Sequence, residues 1–135
     1  MNSKLSWDGM MGFTATGNSD HPIRIDLDPT NGGNGDGARP MELLLHGLGG
    51  CSGVDVVSIL HKMRQKLESF VIEIEGSRAE DHPRRFTRIS MTFRMKGPGL
   101  DPQKARHAVE LSMTKYCSVA GSLNADISYE VEVES

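Results

Sequence analysis

Along residues 21–29, HPIRIDLDP, the apolar Ile23, Ile25 and Leu27 alternate with Arg24, Asp26 and Asp28. A period of two is that of a strand with one covered face. The same alternation runs through 69–79 (Phe70, Ile72, Ile74), 84–97 (Ile89, Met91, Phe93, Met95) and 125–133, with Phe86 out of phase in the second of these. In 4–17, the strand formers Trp7, Phe13 and Thr14 surround Asp8-Gly9, which predicts a hairpin. EDHPRR (80–85) predicts the loop of a second hairpin. TNGGNGDGAR (30–39), with four glycines in ten residues, predicts a mobile loop without regular structure.

Two segments change to helical spacing. The first, about 40–67, opens on Pro40, whose missing N–H is no loss in a first turn. It would be about 40 Å long. Leu44, Leu45, Leu48, Val54, Val56, Val57, Ile59, Leu60 and Met63 cover most of its circumference, so the pattern predicts a helix covered on all sides. The second, 100–118, has Asp101 as N-cap, Pro102 in the first turn and Cys117 at its end. The order βββ-α-ββ-α-β predicts one α+β domain over residues 1–135, with mainly antiparallel pairing.

The first helix contains residues that a core helix normally avoids. Glycines at 47, 49, 50 and 53 each cost up to about 1 kcal/mol relative to alanine. Either they admit a second backbone at close range, or they leave room for a ligand beside Cys51. Glu42, His46, Gly49 and Gly53 recur at helical spacing as a weakly polar stripe. Asp55 follows Cys51 by one turn, and a buried carboxylate without a partner costs several kcal/mol, so it requires one. Cys51 itself reads either as a small core hydrophobe or as a reactive thiol.

Composition narrows the choices. The 15 Lys and Arg against 18 Asp and Glu give a net charge of −3, and the cations are scattered, which argues against nucleic acid. No run of 18 uninterrupted apolar residues occurs and the N-terminus lacks an apolar signal region, so the expectation is a cytoplasmic protein without a membrane partner. In a reducing compartment two cysteines, Cys51 and Cys117, are inert core or a redox pair. A metal set of Cys51, His46 and Asp55 is disfavoured, because offsets of −5 and +4 place the last two on different helix faces. Neither a metal nor a bound cofactor is expected.

RPMELLLHGLGGCSGVDVVSILHKMRQ (39–65) together with KYCSVAGSL (115–123) resembles the OsmC/Ohr superfamily of thiol-dependent peroxidases, in particular its OsmC-like branch. The resemblance implies an α+β fold in which two chains intertwine as a homodimer, the Cys51 helices crossing at the centre and the sheets wrapping around them. It implies Cys51 as the peroxidatic thiol, Cys117 as the resolving thiol, hydrogen peroxide or an organic hydroperoxide as substrate, and an external dithiol as reductant. The family places an arginine in the first hairpin turn and a glutamate directly after the helix-starting proline. Here the turn is WDGMMG, and Met41 follows Pro40. The candidates for supporting roles are therefore Arg39, Arg24, Glu42, Asp55 and His46. Two other readings stay open: an OsmC-like small-molecule-binding or thiol-modified protein without efficient peroxidase activity, and a structural dimer whose cysteines are core residues.

Overall fold

In the computed structural model, which describes residues 1–135, the alternating segments form two three-stranded sheets. The chain divides into two compact units, residues 1–44 and 45–135.

In the first unit β1 (Ser3–Trp7), β2 (Phe13–Gly17) and β3 (Ile23–Ile25) pair antiparallel in chain order. The predicted Asp8-Gly9 turn joins β1 to β2. Asp8 Oδ1 accepts from the backbone N–H of Met10 and Gly12, and the Trp7 indole donates to the Met10 carbonyl at 2.8 Å. β3 is shorter than its alternation predicts, because the chain turns at Asp26. This buried carboxylate accepts from the backbone N–H of Leu27 at 2.8 Å and of Asn34 at 3.0 Å. Asp28 caps a short 3₁₀ turn, Pro29–Asn31, and Ala38 returns to bridge Ile25. The glycine-rich loop, expected to lack organisation, is folded back on β3 by these bonds. Gly33 is required there, since a β-carbon would collide with the Leu27 carbonyl.

Helix α1 (Pro40–Lys62) starts in the first unit and continues into the second. It ends five residues before the predicted Leu67. Arg64 adopts the left-handed conformation (φ 60°), Gln65 N–H reaches the Leu60 carbonyl and Arg64 N–H that of His61. These bonds satisfy two of the last free carbonyls. A left-handed stop usually takes glycine, so an arginine there gives the sequence no stop signal. By length and composition α1 could also cross a bilayer, with mean hydropathy 1.6 over its most apolar stretch, a property it shares with core helices of water-soluble domains.

In the second unit β4 (Ser69–Arg78) and β5 (Phe86–Lys96) form the predicted hairpin, while β6 (Asp126–Glu134) lies parallel to β5. This parallel pair departs from otherwise antiparallel pairing, and the helical crossover between β5 and β6 permits it. Ile89, Met91, Phe93 and Met95 are buried on one face. Phe93 stacks on Phe70 and meets Tyr129 edge-on, with ring centroids 6.3 and 6.4 Å apart. An irregularity at Ser77/Arg78 shifts the register and turns the out-of-phase Phe86 inward, close over Gly76. The opposite face is polar, with Arg94 bound to Glu73 and Glu132.

Within this unit α1 buries the line Leu48, Ser52, Val56 and Leu60. A β-carbon at Gly49 would lie 2.9 Å from Ile74 Cδ1, and one at Gly53 would lie 3.2 Å from Ile72 Cδ1, so these two glycines let the helix approach β4. Gly47 and Gly50 have nothing within 4 Å, and Val54 and Val57 are 70% and 49% exposed. Within this chain, one side of the helix is covered and the side carrying Gly47, Gly50, Val54 and Val57 is open. The predicted second helix is also interrupted. α2 (Pro102–Leu111) starts on Asp101, whose carboxylate accepts from Gln103 N–H. It then widens into a π turn (Ser112–Tyr116), breaks at Cys117 and resumes as α3 (Ser118–Ser122).

Candidate functional site: a thiol pair beside a carboxylate

Cys51 sits mid-helix in α1, half-buried, with Asp55 one turn further along. The intervening Ser52 spends its hydroxyl on the Leu48 carbonyl at 2.9 Å, which leaves the cluster's polar groups to Asp55 and the thiols.

Cys117 is brought to this helix by the π turn. In an α-helix, residues five apart differ in direction by about 140°. A π turn closes its hydrogen bond over five residues, and here Cys117 N–H donates to the Ser112 carbonyl at 2.8 Å. Five residues then complete about one turn, so Ser112 and Cys117 lie towards the same side. Both are buried.

The result is a convergent cluster. The sulfurs of Cys51 and Cys117 and a carboxylate oxygen of Asp55 all lie within 4.8 Å of one another. Ser112 Oγ donates to Asp55 Oδ2 at 2.8 Å, the partner that the sequence required for that carboxylate. Both cysteines are reduced. A disulfide needs a sulfur separation of about 2.05 Å, so bond formation asks for a closing movement of up to roughly 2.7 Å. Burial pushes the Cys117 thiol above the ordinary range; the Ala120 N–H, 3.4 Å from its sulfur, acts the other way, and the adjacent Cys51 raises it further. Cys117 is thus held as a neutral thiol at neutral pH.

The other sequence candidates fall elsewhere. His46 is exposed, makes no hydrogen bond and does not join the cluster; the third group beside Cys51 and Asp55 is Cys117. Glu42 Oε1 accepts from Arg39 N–H at 2.7 Å, the reciprocal half of a capping arrangement at the start of α1. The Arg39 guanidinium donates to the Gly37 carbonyl and approaches Asp28 at 3.9 Å. Arg24 binds Asp8 and Asp36 and lies 3.7 Å from Asp26. Glu42, Arg39 and Arg24 thus each have a structural occupation within the first unit. Ser112 was not among the sequence candidates. A serine among exposed and apolar helix positions carries no signal until the π turn aims it at Asp55.

Comparison with known proteins agrees with this architecture. The sequence profile of the OsmC-like protein family matches residues 33–132. Protein YhfA of Escherichia coli is 39% identical over 97% of this chain and 98% of its own length. The crystal structure of a hypothetical protein from Aquifex aeolicus superposes with a TM-score of 0.81 at 34% identity, covering 99% of this chain and 97% of the other. The organic hydroperoxide resistance protein OhrB of Bacillus subtilis shares the fold at 17% identity, with a TM-score of 0.62 over 99% of this chain and 98% of its own. The α+β chain with its thiol pair belongs to the OsmC-like protein family.

Proposed function

We propose that this protein is a thiol-dependent peroxidase-like redox protein that reduces organic hydroperoxides or hydrogen peroxide through Cys51 and Cys117. The observation that carries the reading is the convergence of both sulfurs with the Asp55 carboxylate within 4.8 Å. The names of fold neighbours such as the organic hydroperoxide resistance protein of Bacillus subtilis suggest the substrate class.

Cys51 is the more accessible thiol and takes the peroxidatic role. Its thiolate attacks the distal peroxide oxygen, the O–O bond breaks, and the departing alkoxide takes up a proton to become the alcohol. Cys51 becomes a sulfenic acid. Cys117, protonated at rest, gives its proton to Asp55 as its sulfur attacks the sulfenic sulfur. The S–S bond forms, the S–O bond breaks, and the hydroxide leaves with that proton as water. An external dithiol returns the disulfide to two thiols and is itself oxidised, which requires a reducing compartment such as the cytoplasm.

A homodimer completes the picture. Gly47, Gly50, Val54 and Val57 recur at helical spacing as a stripe of small and apolar residues left open in one chain. A second copy crossing there would cover it, and the glycines would let the two helices approach closely.

The test is to mix reduced protein with excess cumene hydroperoxide or hydrogen peroxide and follow free thiols and intact mass. The expected result is rapid loss of both thiols to one disulfide, abolished by Cys51→Ser. In Cys117→Ser a sulfenic acid at Cys51 should be trapped by dimedone. Thiols that remain free for an hour would overturn the peroxidase reading. An oxidisable Cys51 that never pairs with Cys117 would favour the small-molecule-binding or thiol-modified alternative.

A further inference from the structure

Beyond its redox reading, the cluster in the second unit has the chemistry of a soft-metal site. Three potential ligand atoms converge from two helical segments: Cys51 Sγ and an Asp55 oxygen from α1, and Cys117 Sγ from the end of the π turn. We propose that the reduced thiol pair binds one zinc-class cation through Cys51, Cys117 and Asp55, leaving the fourth position for water or an incoming thiol.

Three observations carry this. The first is reach. Tetrahedral zinc with Zn–S bonds of about 2.3 Å holds two sulfurs roughly 3.8 Å apart. The three atoms already lie within 4.8 Å of one another, so closing by about 1 Å completes the set. The second is orientation. Ser112 Oγ holds Asp55 Oδ2 at 2.8 Å, which leaves the other carboxylate oxygen for a metal. Such a hydrogen bond from outside the ligand set is how metal-binding carboxylates are fixed in direction. The third is ligand type. Two thiolates with one carboxylate select zinc, cadmium or cobalt over magnesium or calcium, which take oxygen ligands.

His46, whose helix spacing already disfavoured it as a ligand beside Cys51, is exposed and outside this set, so the site depends on Cys117 arriving from the crossover. A metal here occupies the sulfur lone pairs that would attack a peroxide, and the disulfide form has no thiolates to offer. Metal and oxidant therefore exclude one another.

The experiment uses the full chain, reduced, freed of metal and kept without oxygen. Zinc is titrated in competition with a chromophoric chelator, and cobalt(II) serves as a spectroscopic probe. One zinc per chain with Kd below about 1 μM is expected, with a thiolate-to-cobalt charge-transfer band in the near ultraviolet. Cys51→Ser and Cys117→Ser should each weaken binding by about a hundredfold or more. Asp55→Asn, which keeps its size and can still accept from Ser112, should weaken it by about tenfold or more, and Ser112→Ala by about tenfold. Protein oxidised to the disulfide should bind no zinc, a control that needs no substitution. Wild-type protein that binds no zinc at tens of micromolar overturns the proposal. So does Asp55→Asn binding as tightly as wild type, since that leaves only capture by neighbouring thiols. Because no peroxide is present, this outcome is independent of whether the protein reduces peroxides.

Discussion

The two units hold themselves together by different means. Residues 1–44 are organised around charges: Arg24 reaches Asp8, Asp36 and Asp26, and the Asp26 carboxylate ties down the glycine-rich loop. No large apolar side chain in β1–β3 is buried, and Leu5, Trp7, Phe13 and Ile23 are all exposed. Residues 45–135 have an apolar interior of Phe93, Met91, Ile89, Val56 and Leu60, and their few buried polar groups, Ser52 and Ser112, lie beside the thiols. The lesson is one of division. Where burial supplies stability, a small polar cluster can be built into it for chemistry. Where burial is scarce, the polar groups are occupied with holding the loop.

The largest effect that would sharpen this contrast is Phe93→Ala. Deleting a fully buried aromatic should cost about 3–5 kcal/mol, read by urea denaturation, and disulfide formation should fail as the cluster loses its support. A loss well under 1 kcal/mol would break the claim that the second unit depends on its apolar core.

Next in size is Asp55→Asn. With the base removed but the Ser112 hydrogen bond retained, disulfide formation should slow by roughly 100-fold, while oxidation of Cys51 keeps its rate. Stopped-flow thiol loss with dimedone trapping separates the steps, and the sulfenic acid should accumulate. If both steps slow together, Asp55 acts by holding the fold rather than by moving a proton.

Glycine substitutions in α1 come third and test the open stripe. In a lone chain Gly50→Ala should stabilise by up to about 1 kcal/mol, because a better helix former meets nothing within 4 Å. In the proposed dimer it should instead weaken association, seen as a shift towards monomer in sedimentation velocity. Gly49→Ala should gain less than Gly50→Ala, since its methyl would have to push Ile74 Cδ1 aside.

The smallest effect is confined to the first unit. Hydrogen bonding from Arg24 holds the Asp8 carboxyl below its usual range, and that from Thr30 does the same for Asp28. Burial alone would raise Asp26, but hydrogen bonds from Asp36 and from the Leu27 and Asn34 N–H groups outweigh it and lower it to about 2. Carboxylates held low in the folded state contribute stability that is present above about pH 4 and is lost as the pH falls towards about 2. Trp7, the single tryptophan, should report this as a fluorescence change between those values, and Asp26→Asn should diminish it. A flat signal across that window would remove the charge-based account of this unit.

Much of the architecture was legible in the chain. The alternation at Ile89, Met91, Phe93 and Met95 identifies the covered face of β5, and Asp101-Pro102 marks the start of α2. The places that escaped share a cause. The stop at Arg64, the π turn at Ser112, the early end of β3 at Asp26 and the parallel register of β6 are each decided by partners distant in sequence or by a backbone state that the residue type does not announce.

The sequence alone determined the α+β order, the family resemblance and the two cysteines worth watching, because periodicity, capping residues and motif spacing are local properties. It also demanded a partner for Asp55, since a carboxylate in an apolar helix cannot be left bare. Only the tertiary structure decided that the partner is Ser112, that His46 stands apart from the thiols, and that Gly49 and Gly53 meet a sheet while Gly47 and Gly50 meet nothing within the chain. These depend on which face of α1 turns towards β4 and on a helix that widens by one residue before Cys117. Such rotations follow from the packing of whole elements against each other, which no stretch of neighbouring residues encodes by itself.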